Sequence, residues 1–250
     1  MIGHRGAPTL APENTLRSFG LAVDHGVDLV EFDVIALPRG PLVVAHSDRL
    51  EEITHGAVRG RVHQLTLEGL RSLAPELPTL DEALAFLAAA SRDVGLHVDL
   101  KLEERLDEVA SALARHGVSG RTVVTSCRAS TLRAIGRLAP DVRTGLTYPD
   151  DRFGVSRRPW LHPAVRVGLR ALRASVPRRV SGWVRDSGAS ALMLQHALVT
   201  PGAVRSAHAA GVPVIAWTVD ENTEVQRVLS AGVDGIVTND PVTLLATLAT

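Results

Sequence analysis

The sequence predicts an α/β protein of the (β/α)8 TIM-barrel class. Short runs rich in β-branched residues alternate with longer stretches of helical periodicity, a pattern typical of a parallel sheet covered by helices. The chain has 250 residues, of which 45% are hydrophobic, enough for one barrel and its core. We therefore expect residues 1–250 to form one barrel domain.

Nine segments have the length and composition of strands, one more than a barrel of eight strands needs. They are Ile2–His4, Asp28–Val34, Leu42–His46, Gly95–Lys101, Thr122–Ser126, Val142–Thr147, Ala191–Leu194, Val212–Val219 and Gly235–Thr238. The link from Val34 to Pro41 is too short to contain a helical crossover. One element beside it must therefore be an irregular extension or part of a hairpin.

Helices are predicted between most of these strands from capping residues at their starts and from glycine or proline at their ends. Thr79 precedes the helix at 80–90, and Glu82 occupies the capping-box position of that helix. The other predicted helices span 14–23, 102–116, 129–138 and 202–210, with a last one from 222 or 223 to 232. No internal repeat or linker-like change of composition divides the chain.

Composition and charge exclude several classes of protein. The 27 basic and 27 acidic residues balance, so no overall charge favours nucleic acid or an anionic surface. Aromatic residues make up 3% of the chain, too few for the stacking platforms of single-strand binding proteins. The single cysteine, Cys127, excludes an internal disulfide and a cysteine-based zinc site. Without an apolar signal region or a run long enough to span a membrane, the sequence predicts a cytoplasmic protein.

The segment at 152–185 is strongly positive, although the net charge of the whole chain is zero. It contains nine arginines and no acidic residue. Pro163 is suited to open a helix with Arg166, Arg170 and Arg173 on one face, and with Val165, Leu169, Leu172 and Val176 on another. Two interpretations stay open. The segment is either an outer barrel helix paired with the acidic remainder, or a surface that makes weak peripheral contact with anionic membranes.

Several predicted strands carry charged side chains where a parallel sheet should be apolar on both faces. Glu31 and Asp33 are two residues apart in one strand and therefore point to the same side, as do Asp99 and Lys101 in another. Burial of these groups without partners would be strongly unfavourable. We expect them to meet at the C-terminal mouth of the barrel, where the active sites of such folds lie.

Three carboxylates converging at that mouth would repel one another unless a cation lies between them. Glu31, Asp33 and Asp99 offer only oxygen ligands, which suit Mg²⁺ or Ca²⁺. Two histidines, His4 and His46, follow other early strands and are suited to general acid–base chemistry near neutral pH.

Fixed positive charge completes the predicted site. Arg5 and Lys101 are suited to hold a phosphate group. Each polar residue alone has an ordinary structural explanation, such as an ion pair, and Trp217 is equally suited to the core or to an apolar substrate wall. Together, the metal ligands, histidines and cations indicate cleavage of a phosphodiester.

Several short motifs are distributed along nearly the whole chain. They are His4-Arg5-Gly6, Pro12-Glu13-Asn14-Thr15, Glu31-x-Asp33-Val34, Val43-Val44-x-His46, Pro78-Thr79-Leu80-x-Glu82, Trp217-Thr218-Val219 and the run from Gly232 to Pro241. In identity and order these motifs resemble those of the glycerophosphodiester phosphodiesterase family.

The resemblance implies a phospholipase-C-like TIM barrel that hydrolyses glycerophosphodiesters to sn-glycerol 3-phosphate and an alcohol, with Mg²⁺ or Ca²⁺. The family's roles fall on His4 and His46 as the acid–base pair, Glu31 and Asp33 as metal ligands, Arg5 and Lys101 as phosphate-binding cations, and Trp217 as the aromatic residue lining the glycerol pocket. The implied partner is a small-molecule phosphodiester, with no nucleic acid.

Two positions depart from the family's pattern. The family usually has Glu-x-Lys where this chain has Asp99-x-Lys101, so the third expected ligand is one methylene shorter and should bind the cation more weakly or through water. After the third strand the family has His-Asp, whereas this chain has His46-Ser47 with Asp48 one position later. The group that orients His46 is therefore left open.

Other points stay open at the level of sequence. The nucleophile is either water or the substrate's own glycerol hydroxyl, which would give a cyclic intermediate. Two alternative functions also remain. One is a phosphodiesterase that acts on lysolipids in the manner of a lysophospholipase D, and the other is a non-catalytic barrel that binds phosphate esters. The sequence does not indicate the preferred headgroup or the oligomeric state.

Overall fold

The computed structural model describes residues 1–150 and 162–248, with side chains placed for 1–150 and 171–248. Within these ranges eight parallel strands close into a barrel surrounded by helices, so the predicted (β/α)8 TIM-barrel class is confirmed. The strands are β1 (Ile2–Gly3), β2 (Leu29–Ala36), β3 (Leu42–Val44), β4 (Gly95–Leu100), β5 (Thr122–Ser126), β6 (Arg143–Tyr148), β7 (Ala191–Gln195), β8 (Val214–Trp217) and β9 (Gly235–Thr238).

The additional strand is part of a hairpin. Around the barrel the order is β1-β9-β8-β7-β6-β5-β4-β2, and pairing of β1 with β2 closes the circle. β3 instead runs antiparallel to β2, with Val34 opposite Val44 and Ala36 opposite Leu42. The ambiguity around the Val34–Pro41 link is thereby resolved, and β3 stands outside the parallel barrel.

The helices lie between the strands. They are α1 (Leu16–Asp24), α2 (Leu50–Ile53), α3 (Leu67–Leu73), α4 (Leu80–Ala90), α5 (Leu106–Arg115), α6 (Ala129–Leu138), α7 (His162–Ser187), α8 (Pro201–Ala209), α9 (Asn222–Ser230) and α10 (Pro241–Leu248). The predicted capping box of α4 is present, with Thr79 and Glu82 each accepting a hydrogen bond from the other's backbone amide.

Two helices begin later than the sequence predicts, and the reason is local backbone conformation. Asn14 and Arg105 have φ angles of 58° and 59°, which lie in the left-handed region and cannot continue a right-handed helix. The hydroxyl of Thr15, rather than Asn14, caps α1 by accepting a hydrogen bond from the Ser18 amide. Asn14 is thereby free to bond elsewhere.

Hydrophobic side chains form two large clusters, one along β2, β4 and β5 and the other along β6–β9, and a third, smaller cluster beside β3. In the first cluster Phe32 of β2 packs on Phe19 of α1, with ring centroids 5.4 Å apart. The second cluster joins β6–β9 to α7, α8 and α9. The third cluster includes Ile35, Val43 and Leu70 and is the core of the segment between β2 and α4.

Part of the arginine-rich segment can be compared with its prediction. Leu172 and Val176 of α7 pack in the second cluster, whereas Arg173 is exposed and donates a hydrogen bond to the Val199 carbonyl at 3.3 Å. The side chains of Arg166 and Arg170 lie outside the described residues, so membrane contact through 152–185 stays a prediction. None of the described helices combines the length and hydrophobicity that crossing a bilayer requires.

Phe32 lies between the two predicted ligands of β2 and is fully buried. We expect Phe32→Ala to lower the free energy of unfolding by about 3–5 kcal/mol, because it removes a large buried side chain and leaves a cavity. Urea denaturation measures this change. Leu138→Ala is the matched control, since Leu138 is 50% exposed and should change stability by less than about 0.5 kcal/mol. Equal effects of the two substitutions would contradict the packing described here.

Candidate functional site

The predicted ligands lie together at the C-terminal mouth of the barrel. Asp33 of β2 is opposite Asp99 of β4 in the strand register, and Glu31 is on the same face of β2. All three carboxylates are buried, at 4%, 1% and 7% exposure for Glu31, Asp33 and Asp99. One oxygen of each lies within 4.8 Å of the others. A set of three oxygen donors at this spacing fits a hard divalent cation.

Asp33 is the most heavily bonded of the three carboxylates. Arg5 Nε lies 3.0 Å from its Oδ2 and Lys101 Nζ lies 3.1 Å from its Oδ1. Asn14 donates from Nδ2 to Oδ2 at 3.0 Å and accepts the Asp33 amide hydrogen at 3.2 Å. Asp33 therefore joins the segments that follow β1 and β4 to the loop before α1.

Charge is unevenly compensated across the cluster. Burial alone would raise the pKa of Asp33, but Lys101 and Arg5 outweigh it and hold that pKa far below its usual value. Burial and the charge of Asp33 instead raise the pKa of Glu31 well above its usual value. A cation between these oxygens would favour the ionised form of Glu31. The three carboxylates are therefore suited to bind a cation.

The segment after β1 has a fixed and unusual shape. Arg5 adopts a left-handed φ of 52°, and its amide donates to Glu31 Oε2 at 2.7 Å. Gly6 has a φ of 91°, and a β-carbon there would collide with Ser18. The Ser18 hydroxyl donates to the Arg5 carbonyl at 3.1 Å and accepts from the Ala7 amide at 2.8 Å. The His-Arg-Gly motif thus turns the chain across the barrel mouth.

His4 lies at this turn, bonded to a residue that the sequence did not single out as functional. Its Nδ1 is 2.6 Å from Oδ1 of Asn239, which follows β9. Asp220 accepts from Asn239 Nδ2 at 2.7 Å and so fixes the orientation of that amide. Burial and the charge of Arg5 lower the pKa of His4 to about 4. His4 is therefore neutral at pH 7, with its proton on Nδ1 and its lone pair on Nε2.

His46 is oriented by Glu52, a residue that the sequence analysis missed. Its Nδ1 lies 3.0 Å from Glu52 Oε2, which also accepts a hydrogen bond from the Ser47 hydroxyl at 2.7 Å. Asp48 does not take this role, because its carboxylate bonds to His63 and Arg61 instead. Glu52 lies in α2, a four-residue helix too short to give a periodic signal.

A cavity of about 160 Å³ adjoins His46. The Asn14 and Glu13 loop lines one side of it, and apolar residues such as Ile53 and Leu77 line another. The cavity therefore lies between the barrel mouth and the segment that contains the third hydrophobic cluster.

Trp217 and Cys127 lie at the mouth on other strands. Trp217 ends β8 and is half-buried, and its Nε1 has no hydrogen-bond partner in the described part of the chain. That nitrogen is buried, although the side chain as a whole is neither fully buried nor exposed. Burial, with the nearby charge of Asp99, raises the pKa of the Cys127 thiol to about 12. A thiol with so high a pKa contains very little thiolate at neutral pH and is therefore a poor nucleophile.

A series of buried, hydrogen-bonded side chains leads to Asp99 from inside the barrel. Thr125 of β5 donates from its hydroxyl to Asp99 Oδ1 at 2.7 Å. The ring of His97, on β4, lies with Nε2 at 2.8 Å from the same hydroxyl oxygen. Burial lowers the pKa of His97 to about 4, so its ring is neutral. The sequence analysis did not single out His97 or Thr125.

Comparison with known proteins gives consistent matches. A sequence model of the glycerophosphoryl diester phosphodiesterase family matches residues 4–243. A glycerophosphodiester phosphodiesterase from Caldanaerobacter subterraneus subsp. tengcongensis is 28% identical over 268 residues, covering 98% of this chain and 96% of that relative.

Solved structures are similar over the same extent. A protein from Silicibacter pomeroyi, assigned to the glycerophosphoryl diester phosphodiesterases, has a TM-score of 0.80 and 26% identity, covering 99% of this chain and 92% of that one. A phosphodiesterase from Oleispira antarctica, solved with the product sn-glycerol-3-phosphate, has a TM-score of 0.74 and 21% identity, covering 100% and 96%.

The raised pKa of Cys127 leads to a test of the electrostatics of the mouth. We expect iodoacetamide at pH 8 to alkylate the folded protein at least about 100-fold more slowly than the urea-unfolded chain, because only the thiolate reacts. The rate of the folded protein should rise about tenfold per pH unit from pH 7 to 9 without a plateau, because the pKa lies above this range. Mass spectrometry follows the reaction. A plateau near pH 8.5 would contradict the raised pKa.

Proposed function

The chain belongs to the glycerophosphoryl diester phosphodiesterase family, whose members hydrolyse glycerophosphodiesters, and we propose that its own active site is the carboxylate cluster at the barrel mouth. The proposed products are sn-glycerol 3-phosphate and an alcohol. The observation that carries this proposal is the convergence of three buried carboxylates with two histidines and two cationic side chains. Sn-glycerol-3-phosphate is also the product bound by the Oleispira antarctica phosphodiesterase of similar fold.

Glu31, Asp33 and Asp99 are proposed to hold a divalent cation, Mg²⁺ or Ca²⁺. Their oxygens lie within 4.8 Å of one another, and burial beside Asp33 disfavours the ionised form of Glu31, which a cation would stabilise. When bound, such a cation supplies positive charge that polarises a phosphate oxygen and acidifies a nucleophile's hydroxyl. Lys101 and Arg5 fix the position of Asp33, and their charge is suited to bind the substrate phosphate.

The histidines are proposed to divide the proton transfers. His4 is neutral with a free lone pair on Nε2, so it is suited to accept the proton of the attacking hydroxyl. His46 is oriented by the 3.0 Å contact between its Nδ1 and Glu52 Oε2, and it adjoins the cavity. It is therefore suited to carry a proton at Nε2 and give it to the leaving alcohol.

The substrate's two ends are proposed to lie on opposite sides of the phosphate. Trp217, half-buried at the end of β8, forms an apolar wall for the glycerol unit. The cavity beside His46 is next to the proposed proton donor and is suited to the leaving alcohol. A lysophospholipase D-like reaction and a non-catalytic binding role are the alternatives. The cytoplasmic location and the weak membrane contact remain predictions from the sequence.

A substrate panel distinguishes these functions. Glycerophosphodiesters with choline, ethanolamine or glycerol headgroups, together with lysolipids, are incubated with the protein and Mg²⁺ or Ca²⁺. We expect release of sn-glycerol 3-phosphate from the small diesters. Turnover of lysolipids alone would favour the lysophospholipase D alternative, and binding of the diesters without turnover would favour the non-catalytic one.

Metal dependence is tested by chelation and by Asp33→Asn. We expect EDTA to abolish turnover and added Mg²⁺ or Ca²⁺ to restore it, while Asp33→Asn lowers the rate by more than about 100-fold because it removes a ligand charge. The matched control is Asp48→Asn, since Asp48 bonds to His63 and Arg61 outside the site. The proposal fails if turnover persists in EDTA, or if both substitutions have the same effect.

The two histidines are tested with substrates of different leaving groups. His4→Ala and His46→Ala should each lower kcat by about 10²–10⁴-fold, the usual cost of losing general acid–base catalysis. A nitrophenolate leaving group needs no proton, so it should restore the rate of His46→Ala but not that of His4→Ala. His63→Ala is the control, as His63 bonds to Asp48 away from the site. Equal restoration of both variants would refute the division of roles.

A further inference from the structure

Asp99 is one methylene shorter than the glutamate usual at this position of the family, and both of its oxygens are bonded. Lys101 Nζ lies 2.5 Å from Oδ2, and the Thr125 hydroxyl donates to Oδ1 at 2.7 Å. Thr125 lies opposite Asp99 in the register of β4 and β5, so the strand pairing itself sets this contact. The rotation of the Asp99 carboxylate is therefore fixed from two sides.

Thr125 also bonds to His97, and the direction of each hydrogen bond in the series His97–Thr125–Asp99 follows from the chemistry of the groups. A carboxylate oxygen only accepts, so the Thr125 hydroxyl hydrogen points at Asp99. That hydroxyl has one hydrogen, and it can only accept the hydrogen bond from His97 at 2.8 Å. His97 must therefore carry its proton on Nε2. His97 donates to Thr125, and Thr125 donates to Asp99.

The other ring nitrogen of His97 makes this arrangement costly for the fold. Nδ1 is buried and has no hydrogen-bond partner among the described residues. A buried acceptor without a partner destabilises the native state, and an apolar residue would avoid that loss. His97 lies in register with Glu31 and directly precedes the Asp99 position on the same face of β4. We therefore attribute the presence of histidine at position 97 to the hydrogen bond that Nε2 donates.

We propose that His97 and Thr125 are positioning residues that align the Asp99 carboxylate for the divalent cation. The inference rests on the proposed metal centre and adds to it the groups that hold the Asp99 carboxylate in place. Thr125 directs Oδ1, while His97 prevents the hydroxyl from turning away from Asp99. Groups that orient metal ligands in this way commonly change metal affinity by 10–100-fold when they are removed.

The test measures metal affinity, independently of turnover. Isothermal titration with Mn²⁺, and with Mg²⁺ and Ca²⁺, gives Kd for the wild type, Thr125→Val and Thr125→Ser. We expect Thr125→Val to raise Kd by about 10–100-fold and Thr125→Ser, which keeps the hydroxyl, to stay within about threefold of the wild type. Thr125→Ala adds no bulk and replaces the valine variant if that variant does not fold.

His97 is tested through its dependence on Thr125. His97→Leu should raise Kd, whereas His97→Gln should restore affinity because the glutamine Nε2 can donate from a similar position. In the Thr125→Val background His97→Leu should have little further effect on Kd, because its action passes through the hydroxyl. The melting temperature without metal shows whether each variant is folded.

Ser126→Ala is the matched control, since Ser126 is a buried hydroxyl on the same strand that bonds to the Leu100 carbonyl instead. Its Kd should equal that of the wild type. An unchanged Kd in folded Thr125→Val, or equal effects of His97→Leu in both backgrounds, would overturn the positioning role and leave the metal centre intact. Failure of the wild type to bind any of the three ions would overturn the metal centre itself, and the positioning role with it.

Discussion

The carboxylate of Asp33 is the constraint on which the rest of the site depends. It is almost completely buried, and its charge is stable there only because Arg5, Lys101 and Asn14 surround it. Those three residues come from different parts of the chain, so one buried negative charge sets the relative positions of three segments at the barrel mouth. The left-handed turn at Arg5 is part of the same arrangement, because its amide bonds to Glu31.

This arrangement also explains why the site can contain so much charge inside a barrel wall. Arg5 and Lys101 pair with Asp33 and Asp99, whereas Glu31 accepts the Arg5 amide hydrogen, and burial beside Asp33 disfavours its ionised form. A divalent cation held by this cluster would favour that ionised form. In the proposed site, charge balance therefore depends on a cation as well as on the two basic side chains.

Much of this architecture was readable from the sequence, and the exceptions have physical reasons. Charged residues two apart in otherwise apolar strands identified Glu31, Asp33 and Asp99, because parallel strands rarely tolerate them. Glu52 was missed because it acts from a short helix without periodicity, and Asn239 because a neutral amide after a strand looks like a loop residue. Thr125 was missed because threonine is an ordinary strand former. Partners across strands depend on register, which a single sequence does not display.

His46 is carried by neither a barrel strand nor a barrel helix. It follows β3 of the hairpin and is oriented by Glu52 of α2, within a segment that has its own cluster around Ile35, Val43 and Leu70. The barrel, with its own separate clusters, holds the carboxylates. The carboxylates and the proposed proton donor therefore rest on different hydrophobic clusters. Under the proposed assignment, substitutions around the third cluster would change which leaving alcohols fit without disturbing the residues that hold the carboxylates.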